Sequence, residues 1–431
     1  MHLMMLTVKI KKLLHNEILI KSLGTMFVQG LGQMTAFASA ILLAHYLTVS
    51  EYGQYMFGVT IATISAVIAT LGADGILARS WGWSSNNGVT RTKEVFQLHN
   101  WFWRRGIIIL IFACIGCFSY IYLFDPNASF IEVFAFLFAL PFFIANLLQS
   151  FYVANRKVIY ANLIQFIMRL IMLVIIGIYI VIEIHNAPLL VGSMFAAITL
   201  YILILWLKIS VKHGFKSHKP HGSNLSFMLL KWGNLLLSQI DIVLLKIFSS
   251  NESIAYYAVA LQLSALVVFV LNAVSANIMA QVANDYKMLS RDAFQTKITE
   301  YTRIICGLSA LGMVVLIIAG YWITILYGQA YTQAYSLFCV LMIGQAVNVL
   351  CGSVFTILNM AGFEKTTCRV FYIALVINIA LGVALIPSLH AFGVAIASAI
   401  AMIFWNLVLT YLVIKKLGIN PTIFTFFHKP Q

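Results

Sequence analysis

The chain has 431 residues, 62% of them hydrophobic and 9% charged, and Phe and Tyr alone contribute 31 and 19. With a mean hydropathy of +0.95, that composition excludes a water-soluble globular domain. It also excludes a nucleic-acid binder despite the formal net charge of +14, since no soluble domain exists to carry a basic face.

Apolar runs predict twelve membrane spans at 22–47, 53–78, 106–124, 130–154, 160–182, 188–207, 227–248, 254–283, 304–326, 332–361, 370–388 and 391–414. A helix needs about 20 apolar residues to cross a bilayer. Of the 27 Lys and Arg, all but Arg169, Lys231 and Lys246 fall in alternate gaps. Those gaps are the N-terminus, 79–105, 155–159, 208–226, 284–303, 362–369 and the tail with Lys415, Lys416 and Lys429. The other gaps hold Glu51, Asp125, Glu183 and Glu252 and no cation. Loops rich in Lys and Arg stay cytoplasmic, against anionic headgroups. The pattern therefore predicts a multi-pass protein of a bacterial inner (plasma) membrane with both termini cytoplasmic. The first run comes after Lys9, Lys11, Lys12 and Lys21 and contains Gln29 and Gln33, so it reads as a retained helix and not a cleaved signal peptide.

The polar stretch after the sixth span divides the chain. Residues 1–21 form a cytoplasmic segment, 22–207 a first lobe, 208–226 a cytoplasmic inter-lobe loop, 227–414 a second lobe and 415–431 a cytoplasmic tail. LLAHYLTVSEYGQYMFG (42–58) aligns at constant offset with LLKIFSSNESIAYYAVA (244–260), placing Tyr55 on Tyr257 and Glu51 on Ser253. Six is even, so both halves enter from the same side. The expected fold is all-α and polytopic, about 12 transmembrane helices in two pseudo-symmetric six-helix lobes related by an axis along the membrane normal.

Asp74, Arg169, Lys231, Asp241 and Lys246 lie inside predicted spans. An intramembrane charge costs about 2.5–3.5 kcal/mol even on the lenient insertion scale, so it faces a cavity or a partner. Lys231 and Lys246 lie near span ends and can snorkel; Arg169 and Asp241 lie too deep. Lys231, Asn234, Ser238 and Asp241 form one helical stripe about 80° wide, and Asn162, Gln165 and Arg169 form another. Gln29 and Gln33 obey the same logic on the first span. The candidate translocation cavity thus holds Arg169, Asp241, Lys231, Lys246, Gln29, Gln33 and Asn234. For the uncharged members, hydrogen bonding between helices is the competing role. An Arg169–Asp241 ion pair between lobes would satisfy both charges. Asp74 and Arg79, at the cytoplasmic end of the second span, are gate candidates, about 140° apart on a helix and so unpaired with each other.

No metal or redox site is expected. Cys114 and Cys117 have C-x-x-C spacing but Ile, Phe and Gly neighbours inside a span, and His213, His218 and His221 lack a carboxylate or thiolate partner. The absence of a G-x-x-x-x-G-K-[ST] loop argues against an ATPase within the chain.

Five segments then carry a resemblance: LAHYLTVSEYGQY (43–55), IATLGADGILAR (68–79), QIDIVLLKIFSSNESIAYYAVA (239–260), LYGQAYTQA (326–334) and FGVAIASAIA (392–401). In order and spacing, over about residues 20 to 415, the chain resembles polysaccharide flippases of the Wzx type. These belong to the multidrug/oligosaccharidyl-lipid/polysaccharide (MOP) exporter superfamily, with MATE drug exporters and the lipid II flippase MurJ. His45 and Tyr46 depart from the Arg and Leu frequent in that family. The resemblance implies a flippase and not an enzyme, moving undecaprenyl-diphosphate-linked oligosaccharide, an O-antigen or capsule repeat, to the outer leaflet by alternating access. It implies membrane lipids, a polymerase and other glycan-assembly proteins as partners. No cofactor is expected; coupling to H⁺ or Na⁺ would fall to Asp241 or Asp74. A slightly cationic cavity suits a diphosphate, which Arg can grip bidentately. The alternatives are a MATE-like multidrug or cation exporter, for which the cavity should lean acidic, and an O-antigen polymerase, against which the short outer gaps count.

Overall fold

A computed structural model describes residues 17–77, 88–124, 129–220, 225–267 and 288–424. The first lobe comprises α1 (Glu17–Tyr46), α2 (Val49–Ala69), α3 (Gly88–Phe124), α4 (Phe130–Leu137), α5 (Ala139–Ala154), α6 (Val158–Val181) and α7 (Ala187–His213). The second comprises α8 (Leu225–Phe248), α9 (251–267), α10 (Arg291–Leu326), α11 (Gln333–Cys351), α12 (Val354–Met360), α13 (Glu364–Leu389) and α14 (Ala391–Leu417). Among the described residues there is no strand, and 11 helical segments are long and apolar enough to cross a membrane. Of the predicted span 254–283, α9 is seen; 268–283 lies outside the described residues, as does Arg79.

The two lobes repeat one packing scheme. In the first, α1 packs on α6, α6 on α7 and α5 on α7; in the second, α8 packs on α13, α13 on α14 and α11 on α14. The fifth span of each lobe thus lies between the first and the sixth. The sequence echo recurs as matching helix caps. The Thr48 hydroxyl accepts from the Glu51 N–H at 3.3 Å, and at the same offset that aligns Tyr55 with Tyr257 the Ser250 hydroxyl accepts from the Ser253 N–H at 3.3 Å. Each cap satisfies an N–H left orphaned at a helix start. Two core clusters form: Ala62, Phe143 and Leu147 anchor the first, which Ala258, Tyr327 and Tyr331 of the second lobe join, and Leu245, Leu263 and Phe338 anchor the second. Outer faces such as Ile108 and Phe112 of α3 or Leu311 and Ile318 of α10 stay exposed, as a lipid-facing surface requires.

Two basic gaps turn out to be helix. α3 starts at Gly88 instead of 106 and α10 at Arg291 instead of 304. Each extension is amphipathic: Val95, Phe96 and Phe102 are buried in one, Phe294 and Ile298 in the other. The cations ride the outside, Arg105 over the Trp101 ring at 3.9 Å and Arg291 donating from Nε to the Gly418 carbonyl at 2.7 Å. Helical periodicity therefore continues past the point where average hydropathy falls.

The inter-lobe loop is likewise shorter than expected, because α7 runs to His213. Residues 214–218 are pinned to α3: Asn100 Nδ2 donates to the carbonyls of Gly214 (3.1 Å) and Lys216 (3.0 Å), and the His218 N–H to that of Gln97 (3.1 Å). His213 packs on Phe96 and Phe151, and His221 lies outside the described residues. Two predicted spans are broken, 130–154 at Phe138 and 332–361 at Gly352–Ser353. Gly352 has φ +73°, and a Cβ there would lie 2.8 Å from the Pro421 carbonyl and 2.9 Å from Thr302 Oγ1. Only glycine tolerates that turn at that distance.

Candidate functional site

The first lobe encloses a cavity of about 420 Å³ between α1, α2, α5 and α6, with Gln262 of α9 reaching in from the second lobe. Its polar lining includes Tyr52, Asn146, Gln149, Gln165, Arg169 and Gln262, and among the described lining residues there is no carboxylate. The fifth-span stripe divides between two roles. Asn162 is interhelical: it accepts from Gln29 Nε2 at 3.3 Å and donates to the Val158 carbonyl at 3.1 Å. Gln165 and Arg169 line the cavity, with Gln165 Nε2 donating to Gln149 Oε1 at 3.2 Å. The Arg169 guanidinium reaches across to α1, where a Cβ on Gly32 would lie 3.3 Å from it. Among the described residues no carboxylate pairs with Arg169.

Asp241 belongs elsewhere. It is 3% exposed inside the second lobe and accepts from Tyr257 Oη (2.5 Å), Ser398 Oγ (2.5 Å) and Asn378 Nδ2 (3.0 Å). The expected Arg169–Asp241 pair is not formed. Ten residues at 100° each bring Asp241 about 80° around α8 from Lys231, enough to turn it from the inter-lobe face into its own lobe. Tyr257 stood out only as the repeat counterpart of Tyr55, and neither Asn378 nor Ser398 carried a sequence signal linking it to Asp241.

Nor are the two lysines snorkelling. Lys231 Nζ meets Asp74 Oδ1, in the short helical segment 73–77 that follows α2, at 3.0 Å, both partly exposed, at the end carrying the basic segments. Lys246 pairs at the opposite end with Glu132 of α4, both nearly buried, and lies 3.4 Å from Asn251 Oδ1 and 5.2 Å from the Phe57 ring. Both pairs join the lobes along one seam of α8 against α2 and α4. Glu132 lies inside the predicted span 130–154 yet is absent from the expected set of intramembrane charges; it opens α4, where Ser129 Oγ accepts from the Glu132 N–H at 3.4 Å. The partner lysine lies far away in sequence, so only the fold reveals the second role. Asn234 and Gln33 are exposed and outside the cavity lining.

Opposite the basic end the lobes are shut. His45 Nε2 lies 2.8 Å from the Leu326 carbonyl, and Phe37 meets Tyr327, and Tyr52 meets Tyr331, edge to face. A Cβ on Gly53 would lie 1.8 Å from the Asn251 carbonyl oxygen, so α2 and α9 touch there backbone to backbone. Glu252, in the turn opening α9, is held below the usual carboxylate range, first by its own backbone and then by Ser250, with Ser50 of the first lobe adding to the effect.

The architecture is thus two pseudo-symmetric helical lobes, the first of which holds a polar cavity. Among solved structures, the chain is similar to the lipid II flippase MurJ in an inward closed conformation (TM-score 0.69, 16% identity, covering 93% of this chain and 89% of that one). It is similar to a multidrug resistance MATE family transporter of the MOP superfamily in an inward-facing conformation (TM-score 0.70, 12% identity, 92% and 98% covered). An outward-facing conformation of such a transporter gives a TM-score of 0.59 at 13% identity (92% and 94% covered). The chain therefore has the fold seen in these MurJ and MATE structures. No protein-family model matches the sequence, and no curated protein matches it.

Proposed function

We propose that this chain is a flippase of the Wzx type, carrying an oligosaccharide linked through a diphosphate to undecaprenol from the cytoplasmic to the outer leaflet. The observation that carries this reading is Arg169, a cation with no carboxylate around it in a membrane-embedded cavity. Such a group costs free energy unless an anion visits it, and a diphosphate offers the bidentate oxygens a guanidinium prefers. The basic ends would be cytoplasmic, so the closed end faces outward and the cavity is poised to load from inside. A cation exporter on the same fold would want a carboxylate where Arg169 stands. Asp241, with two hydroxyls that can rotate to offer oxygen instead of hydrogen, is the candidate for H⁺ or Na⁺ coupling. A polymerase and the other glycan-assembly proteins would take the product onward.

The test is complementation of a strain lacking the chain. Arg169→Gln should reach the membrane at the wild-type level yet leave surface O-antigen or capsule absent and lipid-linked glycan accumulating. Full surface glycan from that variant would overturn the reading.

A further inference from the structure

The cavity is zoned along the membrane normal. α5 runs toward the basic end and finishes at Ala154, so Gln149 and Asn146 lie about 8 and 12 Å from that end, while Gln165 lies one turn, about 6 Å, from Arg169 on the basic side. Tyr52 sits three residues into α2 at the opposite end, and the lining between is largely apolar: Leu43, Met56, Val59, Met172 and Ile176. Asn146, Gln149 and Gln165 thus lie on the basic side of Arg169, the only charged group among the described lining residues, while the remaining amide, Gln262, enters from the second lobe and accepts from Tyr327 Oη at 2.7 Å.

One of them is waiting for a partner. Gln149 Oε1 is occupied by Gln165, which turns Gln149 Nε2 away, and that buried N–H donor has no hydrogen-bond partner. A buried donor left unpaired is destabilising, so it marks a place where an acceptor belongs. Arg169 supplies further donors and no local acceptor. The cluster is rich in donors, holds one positive charge and has no carboxylate.

Resting on the flippase reading, we infer that Asn146, Gln149 and Gln165 form a sugar subsite beside Arg169, and that it takes an uncharged sugar bearing a carbonyl acceptor, such as an N-acetylhexosamine, as the residue attached to the diphosphate. An amine would find no carboxylate there. A uronic acid would compete with the phosphates for the single guanidinium. The acetamido oxygen accepts from Gln149 Nε2, and ring hydroxyls exchange hydrogen bonds with Asn146 and Gln165. At about 420 Å³ the cavity is at the small end of the roughly 300–1,000 Å³ that house drug-sized ligands. It therefore encloses the sugar nearest the diphosphate, and the rest of the repeat extends toward the basic end.

The experiment measures binding of three short-chain prenyl probes to the purified full chain in lipid nanodiscs: the bare diphosphate, its N-acetylhexosamine conjugate and its hexuronic acid conjugate. The N-acetylhexosamine should add about tenfold in affinity over the bare diphosphate and the uronic acid none. Gln149→Leu and Asn146→Leu should each remove several-fold of that increment while leaving the bare diphosphate unchanged. The subsite is overturned if the bare diphosphate binds and the neutral sugar adds nothing, if the uronic acid adds as much, or if the amide variants weaken both probes alike at unchanged thermal midpoint. Absence of binding by every probe, or indifference of the bare diphosphate to Arg169→Gln, instead removes the flippase reading beneath it.

Discussion

Replacing Lys246 by Met strips Glu132 of its cation across the lobe interface. The side chains are 11% and 4% exposed, so water cannot take over. Removing one partner of a buried pair costs about 3–5 kcal/mol. At about 1.4 kcal/mol per tenfold, that is more than a hundredfold in an equilibrium. Glu132→Gln should cost less, since Lys246 retains Asn251 and the Phe57 ring. The double variant Lys246→Met/Glu132→Leu should recover most of the loss, as apolar replacement of buried pairs is often neutral. The pair joins lobes, so the loss should appear first as opening at the non-basic end. Spin labels at Ile182 and Ala330, exposed at that end on opposite lobes, would read it as a longer, broader distance distribution. An unchanged distribution in Lys246→Met, or a double variant as unstable as the sum of the singles, would refute the reasoning.

Gly53→Ala should wedge the same end open, because a Cβ 1.8 Å from the Asn251 oxygen must displace backbone. Overpacking of this kind costs about 1–3 kcal/mol, and the Ile182–Ala330 distance should lengthen; an unaltered distance at wild-type stability would count against it. Asp241→Asn leaves the hydroxyls of Tyr257 and Ser398 with a poorer acceptor and should lower the thermal midpoint by an amount consistent with about 1–3 kcal/mol. It should also abolish any dependence of transport on the H⁺ or Na⁺ gradient. Glu252 has a depressed folded pKa, so its stabilisation is complete above the ordinary value of 4.5 and lost as pH falls through the lower folded value. Wild type should therefore outlast Glu252→Gln in thermal unfolding at neutral pH and lose that advantage in acid.

The architecture was legible because it is written in quantities that sum along the chain: span length, alternation of cations and an offset repeat. The site was only half legible, and the reason differs residue by residue. Arg169 could be read from depth, since no partner within its own helix can satisfy a cation there. Lys231, Lys246 and Asp241 stand out by cost, but their partners Asp74, Glu132, Tyr257, Asn378 and Ser398 are distant in sequence and met only through helix packing. Of the charges expected in the cavity, Arg169 is the one found among the described lining residues. Helical stripes predicted which residues share a face and could not say what the face touches: Asn162 hydrogen-bonds to α1, whereas Arg169, two turns on, reaches α1 beside Gly32 and also borders the cavity.

The two ion pairs on the α8 seam are chemically alike and physically unequal, and that inequality sets a direction. They are fifteen residues apart on α8, about 22 Å. Lys231 and Asp74 are 28% and 49% exposed, and an exposed pair is worth about 0–1 kcal/mol and is screened by salt. Lys246 and Glu132 are almost dry, so screening barely reaches them. The basic end is therefore the end that separates first, which is the end through which a cytoplasmic lipid-linked substrate would load. Raising ionic strength should lengthen the distance between labels at Lys93 and Lys365, exposed on the two lobes toward that end, while leaving Ile182–Ala330 unchanged. Equal salt sensitivity at both ends would mean that the buried pair is wet, and the lobes would then have no preferred side on which to part.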